Sequence, residues 1–135
     1  MNSIRLPDWT ERHIEFIAVR QYVPFAWGTN DCGIFFADHT LEITGKDPAE
    51  RWRGYRTQRE LVAMVRQAGG LRELAEMSGL VKKHEGLAQR GDGVLANVDG
   101  RKTFGVVTGD GNWCGPGECG LLFRPMSEAL VVYEI

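Results

Sequence analysis

The stretch 25-FAWGTNDCGIFFADHT-40 passes from loop to helix at a single cysteine. Asn30 and Asp31 are both good N-cap residues, because a short side-chain oxygen can accept from the free N–H groups of a helix's first turn. An apolar run through Phe35, Phe36, Leu41 and Ile43 then leads to Gly45, a residue suited to the left-handed position just past a helix end. These positions cover so much of the circumference that the helix is expected to be central and buried. Cys32 stands at its start. There it meets the positive end of the helix dipole and unpaired backbone N–H groups, both of which favour a thiolate. It reads either as a nucleophile or as a small, buried residue with an inert thiol. Gly33, next in sequence, would let a substrate backbone approach closely.

Upstream of this stretch, a helical pattern runs from about Thr10 to Tyr22. Thr10 serves as cap, Ile14, Ile17, Ala18 and Tyr22 share one face, and Pro24 is the stop. Downstream, Asp47-Pro48 opens a connection through Trp52 and Tyr55. A helix over Gln58 to Ala68 follows, with Leu61, Val62 and Val65 inward and Gly69-Gly70 as its end, then a short one over Leu71 to Met77. After Gly79 the period changes. Short apolar runs at Val94–Ala96, Phe104–Thr108, Leu121–Phe123 and Leu130–Tyr133 are separated by turn signals, among them Asp99-Gly100, a hairpin dipeptide. Helices first and antiparallel strands afterwards give an α+β fold, expected as one domain over residues 1–135, with a helical half to about 80 and a sheet half beyond.

At 135 residues, 43% hydrophobic and 25% charged, the chain has the composition of an ordinary globular domain that needs no metal or disulfide merely to fold. A net charge of −2 provides no basic footprint for nucleic acid. No apolar run approaches the ~20 residues of a membrane span. The beginning, MNSIRLPDWTERH, lacks the apolar core of a secretory signal, so synthesis in the cytoplasm is expected.

Several short features occur in a telling order. Trp27-Gly28 precedes Asp31-Cys32-Gly33, a buried helix follows, and Arg90-Gly91-Asp92 introduces the first strand. The next strand reads Thr103-Phe104-Gly105-Val106-Val107-Thr108-Gly109. This order resembles the NlpC-type papain-like cysteine peptidases, which cleave peptide bonds in bacterial cell walls and whose short versions occur in phage tail-tip gene clusters. The resemblance spans nearly the whole chain from Phe25. It implies a papain-like fold with Cys32 in the nucleophile position and a tail-associated, virion protein that contacts other tail-tip proteins and peptidoglycan. It also implies substrate-side roles for Asp31 and Trp27. The chain departs from the family at the base: the position of the catalytic histidine is occupied by Thr103. A cysteine peptidase needs a group that takes the thiol proton and later protonates the leaving amine, and a threonine hydroxyl does neither near neutral pH. His39, seven residues beyond Cys32, lies roughly 10 Å further along the helix axis and reads as a polar residue on a helix rim. His13 and His84 read as solvated. A degenerate catalytic centre is therefore expected, with an active peptidoglycan hydrolase as the alternative.

Residues 109–120, GDGNWCGPGECG, read as a glycine-rich loop. Three arrangements of its two cysteines are open: a Cys114–Cys119 disulfide, free thiols, or a zinc or iron–sulfur site completed by Cys32. With no cofactor as the default, the metal is the exception. Trp113 in such a loop is expected to be exposed and to make contacts with partners.

Overall fold

The computed structural model describes residues 4–135. Four helices come first: α1 (Trp9–Arg20), α2 (Cys32–Thr44), α3 (Gln58–Ala68) and α4 (Leu71–Met77). Six strands follow: β1 (Val81–Lys83), β2 (Gly93–Val98), β3 (Arg101–Gly109), β4 (Asn112–Gly117), β5 (Gly120–Pro125) and β6 (Ala129–Glu134). They form one antiparallel sheet in the order β1-β6-β2-β3-β4-β5. The α+β class expected from the change of period is the one observed.

Local chemistry accounts for most boundaries. Asp31 caps α2 by accepting from the Ile34 N–H, and Gly45 ends it at φ 78°. Thr57 caps α3 in the same way through Glu60, and Gly69 ends it at φ 102°. In the β2–β3 hairpin, Asp99 and Gly100 both take positive φ, 51° and 85°, which matches the right-handed twist of the flanking strands.

The core lies between α2 and one face of the sheet. Phe36 stacks on Phe104 at 5.7 Å, with Leu95, Ile43 and Tyr133 around them. Gly93 is required here, since a Cβ on it would lie 2.6 Å from the Phe36 ring. The other face of the sheet gathers Val94, Ala96, Val107 and Trp113 under Met126 and Ala129.

Three expectations fail in this architecture. The glycine-rich segment is not a loop but the β4–β5 hairpin, paired from Asn112↔Pro125 to Gly117↔Gly120. It is held against the end of α1 by the Leu121 N–H bond to the Gln21 carbonyl. Trp113 is accordingly 1% exposed and lies across β3, where a Cβ on Gly105 would meet its ring at 2.3 Å. It is a core residue, not a protruding contact. β1 falls between Gly79 and Val94, where no strand is expected, and pairs with β6; two of its three residues, Val81 and Lys82, are exposed, and it has no apolar alternation to reveal it.

The third failure is the phase of α1. Ile14 and Tyr22 are 56% and 80% exposed, whereas His13 is buried and Phe16 packs on Phe35 at 5.3 Å. The α1–α2 seam is built on imidazoles: His13 Nδ1 and His39 Nε2 share a hydrogen bond of 2.8 Å, and His39 is fully enclosed. Both rings are consequently core residues, not the solvated groups their polarity suggested. Burial, reinforced by Arg90 and Arg5, lowers the His13 pKa to about 4, and burial followed by His13 lowers that of His39.

Because the unfolded chain would bind protons that these folded imidazoles refuse, the contribution to stability is complete above the unfolded value of about 6.5 and declines as the pH falls toward about 4. The His13 shift alone corresponds to roughly 2 kcal/mol between pH 6.5 and 5, before most carboxylates titrate. Urea titrations across that window are expected to show stability falling as the pH is lowered. An unchanged midpoint would contradict neutral, buried imidazoles.

Candidate functional site

The site begins with the turn before α2. Ala26 and Asn30 form an isolated bridge, and the Thr29 and Asn30 N–H groups both donate to the Ala26 carbonyl. Gly28 is needed twice over. Its φ is 79°, and a Cβ there would lie 2.2 Å from the Tyr55 carbonyl oxygen.

Asp31 holds this turn together. It is fully buried, and its two oxygens accept from the Gly28 N–H at 2.9 Å, the Tyr55 hydroxyl at 2.5 Å and the Ile34 N–H at 3.0 Å. Burial, then the bond to Asp31, raises the Tyr55 pKa far above its ordinary value, so the phenol stays protonated and donates. Asp31 therefore acts inward as a cap, not outward on a ligand. Tyr55 stacks on Trp52, whose ring covers Gly33 at 3.3 Å from where a Cβ would be. The surface of Gly33 expected to admit a substrate backbone is occupied by that tryptophan.

Cys32 packs against the Phe36–Phe104 cluster and lines a cleft of about 440 Å³. Thr103 lines the same cleft, so the structure brings to one cavity the two residues expected at the nucleophile and base positions. Trp27 and Phe25, in T-shaped contact at 4.7 Å, form one part of the wall, and Trp113, Pro116 and Leu122 another. The third part is α3, through Leu61, Val62 and Val65. Arg66, Arg101, Lys102 and Arg124 also line the cleft. Among its described lining residues there is no histidine and no carboxylate. His84 is exposed and caps the following 3-10 turn by accepting from Gly86, and the other two histidines are locked in the α1–α2 seam.

Burial raises the Cys32 pKa to about 11, although the Phe104 and Gly33 N–H groups work in the opposite direction. Cys114 lies opposite Phe123 on the face packed against Phe35, and burial pushes its thiol up to about 12. Cys119 is exposed in the β4–β5 turn, just beyond Gly117. Three residues of extended strand separate Cys114 from that turn, roughly 10 Å, which is beyond the Cα separation a disulfide permits. Among the described residues no group of three or more His, Cys, Asp or Glu side chains converges, so Cys32, Cys114 and Cys119 do not assemble a zinc or iron–sulfur site in this arrangement. All three cysteines are free in this structure.

With this geometry in view, the likeness to solved structures can be placed. The chain superposes on the NlpC/p60 domain of the peptidoglycan hydrolase SagA with a TM-score of 0.60 at 18% identity, covering 93% of this chain and 97% of that one. The architecture is thus of the NlpC/p60 class, and at that identity the likeness concerns the fold. No curated protein matches the sequence. A family model matches residues 4–135, and the chain belongs to that family, described as a domain of unknown function, DUF6950.

The Asp31 network makes a quantitative prediction. Asp31→Ala removes a helix cap and strands the buried Tyr55 hydroxyl, an expected loss of about 2–4 kcal/mol in urea unfolding. Tyr55→Phe should cost about 1 kcal/mol alone and much less in the Asp31→Ala background. Additive losses would show that the two groups do not act together.

Reactivity gives a second check. At pH 7.5 a thiol of pKa near 11 is roughly one part in three thousand thiolate. Iodoacetamide followed by mass spectrometry should label the exposed Cys119 first, with Cys32 and Cys114 slower by about a hundredfold or more. Rapid labelling of Cys32 would contradict a protonated thiol.

Proposed function

We propose that this protein is a tail-tip-associated component of a bacteriophage or related particle that contacts the cell wall, and that its NlpC-like cleft binds without cleaving. The observation that carries the non-hydrolytic part is that Cys32 and Thr103 line one cleft whose described lining residues include no imidazole. Acylation by a thiol needs a proton acceptor first and a proton donor to the leaving amine next. Cys32 is protonated at neutral pH, Asp31 is consumed by internal donors, and Tyr55 is held as a phenol by Asp31. The arginine and lysine side chains around the cleft supply positive charge but accept no proton. The virion and tail-tip part is supported by the resemblance of the Trp27-Gly28, Asp31-Cys32-Gly33 and Gly105 features to short NlpC-type domains of phage tail clusters. Peptidoglycan as the contacted polymer is supported by the same resemblance and by the hydrolase to which the SagA domain belongs. Assembly is expected in the bacterial cytoplasm, with the protein then carried in the tail.

An active hydrolase is the second reading. What favours it is the retained geometry of the nucleophile, a cysteine at the N-terminus of the central helix with backbone N–H groups beside its sulfur.

Turbidity loss of purified cell walls separates the two. Wild type and Cys32→Ala are expected to be equally inert, and Thr103→Ala should change nothing. Thr103→His should speed Cys32 alkylation near neutral pH, because an adjacent imidazole stabilises the ion pair. Lysis by wild type that is lost in Cys32→Ala would establish the hydrolase instead.

A further inference from the structure

α3 contacts α4 but has its apolar face only partly covered. None of its residues is buried, yet Leu61, Val62 and Val65 form a stripe along it, and that stripe faces the cleft. Leu122, 53% exposed, lines the same cleft. A volume of about 440 Å³ falls within the range of small-molecule sites. Apolar surface of this kind, left open, gains by taking up a hydrocarbon.

The charge around it is one-sided. In a chain of net charge −2, the cleft is lined by four cationic side chains, and no carboxylate is among its described lining residues. Arg124 is already engaged by Glu128 at 2.6 Å. Arg66, Arg101 and Lys102 have no carboxylate within 4.0 Å among the described residues, and they come from two different elements, α3 and the start of β3. Cations gathered beside low-dielectric walls attract an anion and orient it. An extended peptide is the poorer occupant. Each of its N–H and C=O groups needs a partner once water leaves, and Thr103 and Cys32 are the small hydroxyl and thiol groups on the wall.

We infer that the cleft binds an aliphatic carboxylate, its chain lying along the Leu61–Val62–Val65 stripe and Leu122 and its anionic end held by Arg66, Arg101 and Lys102. This rests on the reading of the cleft as a site that binds without cleaving. It names a ligand of the cleft that is distinct from the cell-wall polymer the protein contacts.

Titration calorimetry on the full chain, with ligands kept below their micellar concentrations, tests it. Octanoate, decanoate and dodecanoate should bind with Kd falling about fourfold per added methylene, the equivalent of about 0.8 kcal/mol each. Decanol and decyltrimethylammonium should bind at least tenfold more weakly than decanoate. Arg101 and Lys102 are exposed, so the double variant Arg101→Ala/Lys102→Ala should keep its fold by circular dichroism. It should lose the preference for carboxylate over alcohol while keeping the dependence on chain length. Val62→Glu, at a position 37% exposed, should abolish binding of the whole series. Equal affinity for carboxylate, alcohol and ammonium would overturn the inference, as would affinity independent of chain length. So would no binding of the carboxylates, including the case in which only a short apolar peptide binds. Assaying wall lysis in parallel keeps the two readings apart. Cys32-dependent wall lysis would end the non-hydrolytic reading, while chain-length-dependent carboxylate binding by the wild-type protein would leave the ligand class standing.

Discussion

The carboxylate of Asp31 sits where three pieces of chain must meet, and each spends a hydrogen-bond donor on it. The Ile34 N–H belongs to the first turn of α2, the Gly28 N–H to the turn before it, and the Tyr55 hydroxyl to the connection that returns from the far end of that helix. A buried carboxylate without such donors would cost several kcal/mol, so the arrangement is nearly all or none. It determines where α2 starts, and therefore where Cys32 stands. It also holds Tyr55 under Gly28 so closely that no Cβ fits between them. Trp52, stacked on Tyr55, then covers Gly33. The cleft takes Cys32 from this arrangement, although Asp31 itself does not line it.

Two opposing influences act on the cysteine so placed. The helix terminus and its N–H groups favour thiolate, an effect of about 0.3–1 kcal/mol in ordinary settings. Removal from water favours the thiol, and the balance at Cys32 goes to burial, with a pKa near 11. In a cysteine peptidase an adjacent imidazole shifts that balance by accepting the proton. Here the strand residue at that place is threonine, and the two buried imidazoles bond to each other in the seam between α1 and α2. Burial at the start of α2 thus leaves the Cys32 thiol protonated. What the cleft offers instead is apolar area and positive charge.

Much of this was legible before the fold was known. The start of α2, the ends of α3 and α4, the Asp99-Gly100 hairpin and four of the strands follow from caps, glycines and alternation, which act over a few residues. Errors fell where the deciding contact is distant in sequence. His13 and His39 look solvated because imidazole is polar, and become core only when 26 residues of separation are closed by one hydrogen bond. Residues 109–120 look like a loop because glycine and proline lack strand propensity. They pair because the twisted sheet supplies an edge, with Gly105 leaving room for Trp113. Tyr55 gave no local sign of its role at all, since its partner lies 24 residues away.

For the site, the identity of the groups was written in the chain: a cysteine at a capped helix start and a threonine where the resemblance calls for histidine. Sequence alone determined that no histidine occupies the matching strand position, because that is a matter of which residue follows which. Only the tertiary structure decided that His13 and His39 are sealed in the α1–α2 seam, that the three thiols stay apart, and that the apolar stripe of α3 shares one cleft with a set of cations. Those are facts of distance and burial, and they arise when α2 packs on the sheet and excludes water from one side of each group but not the other.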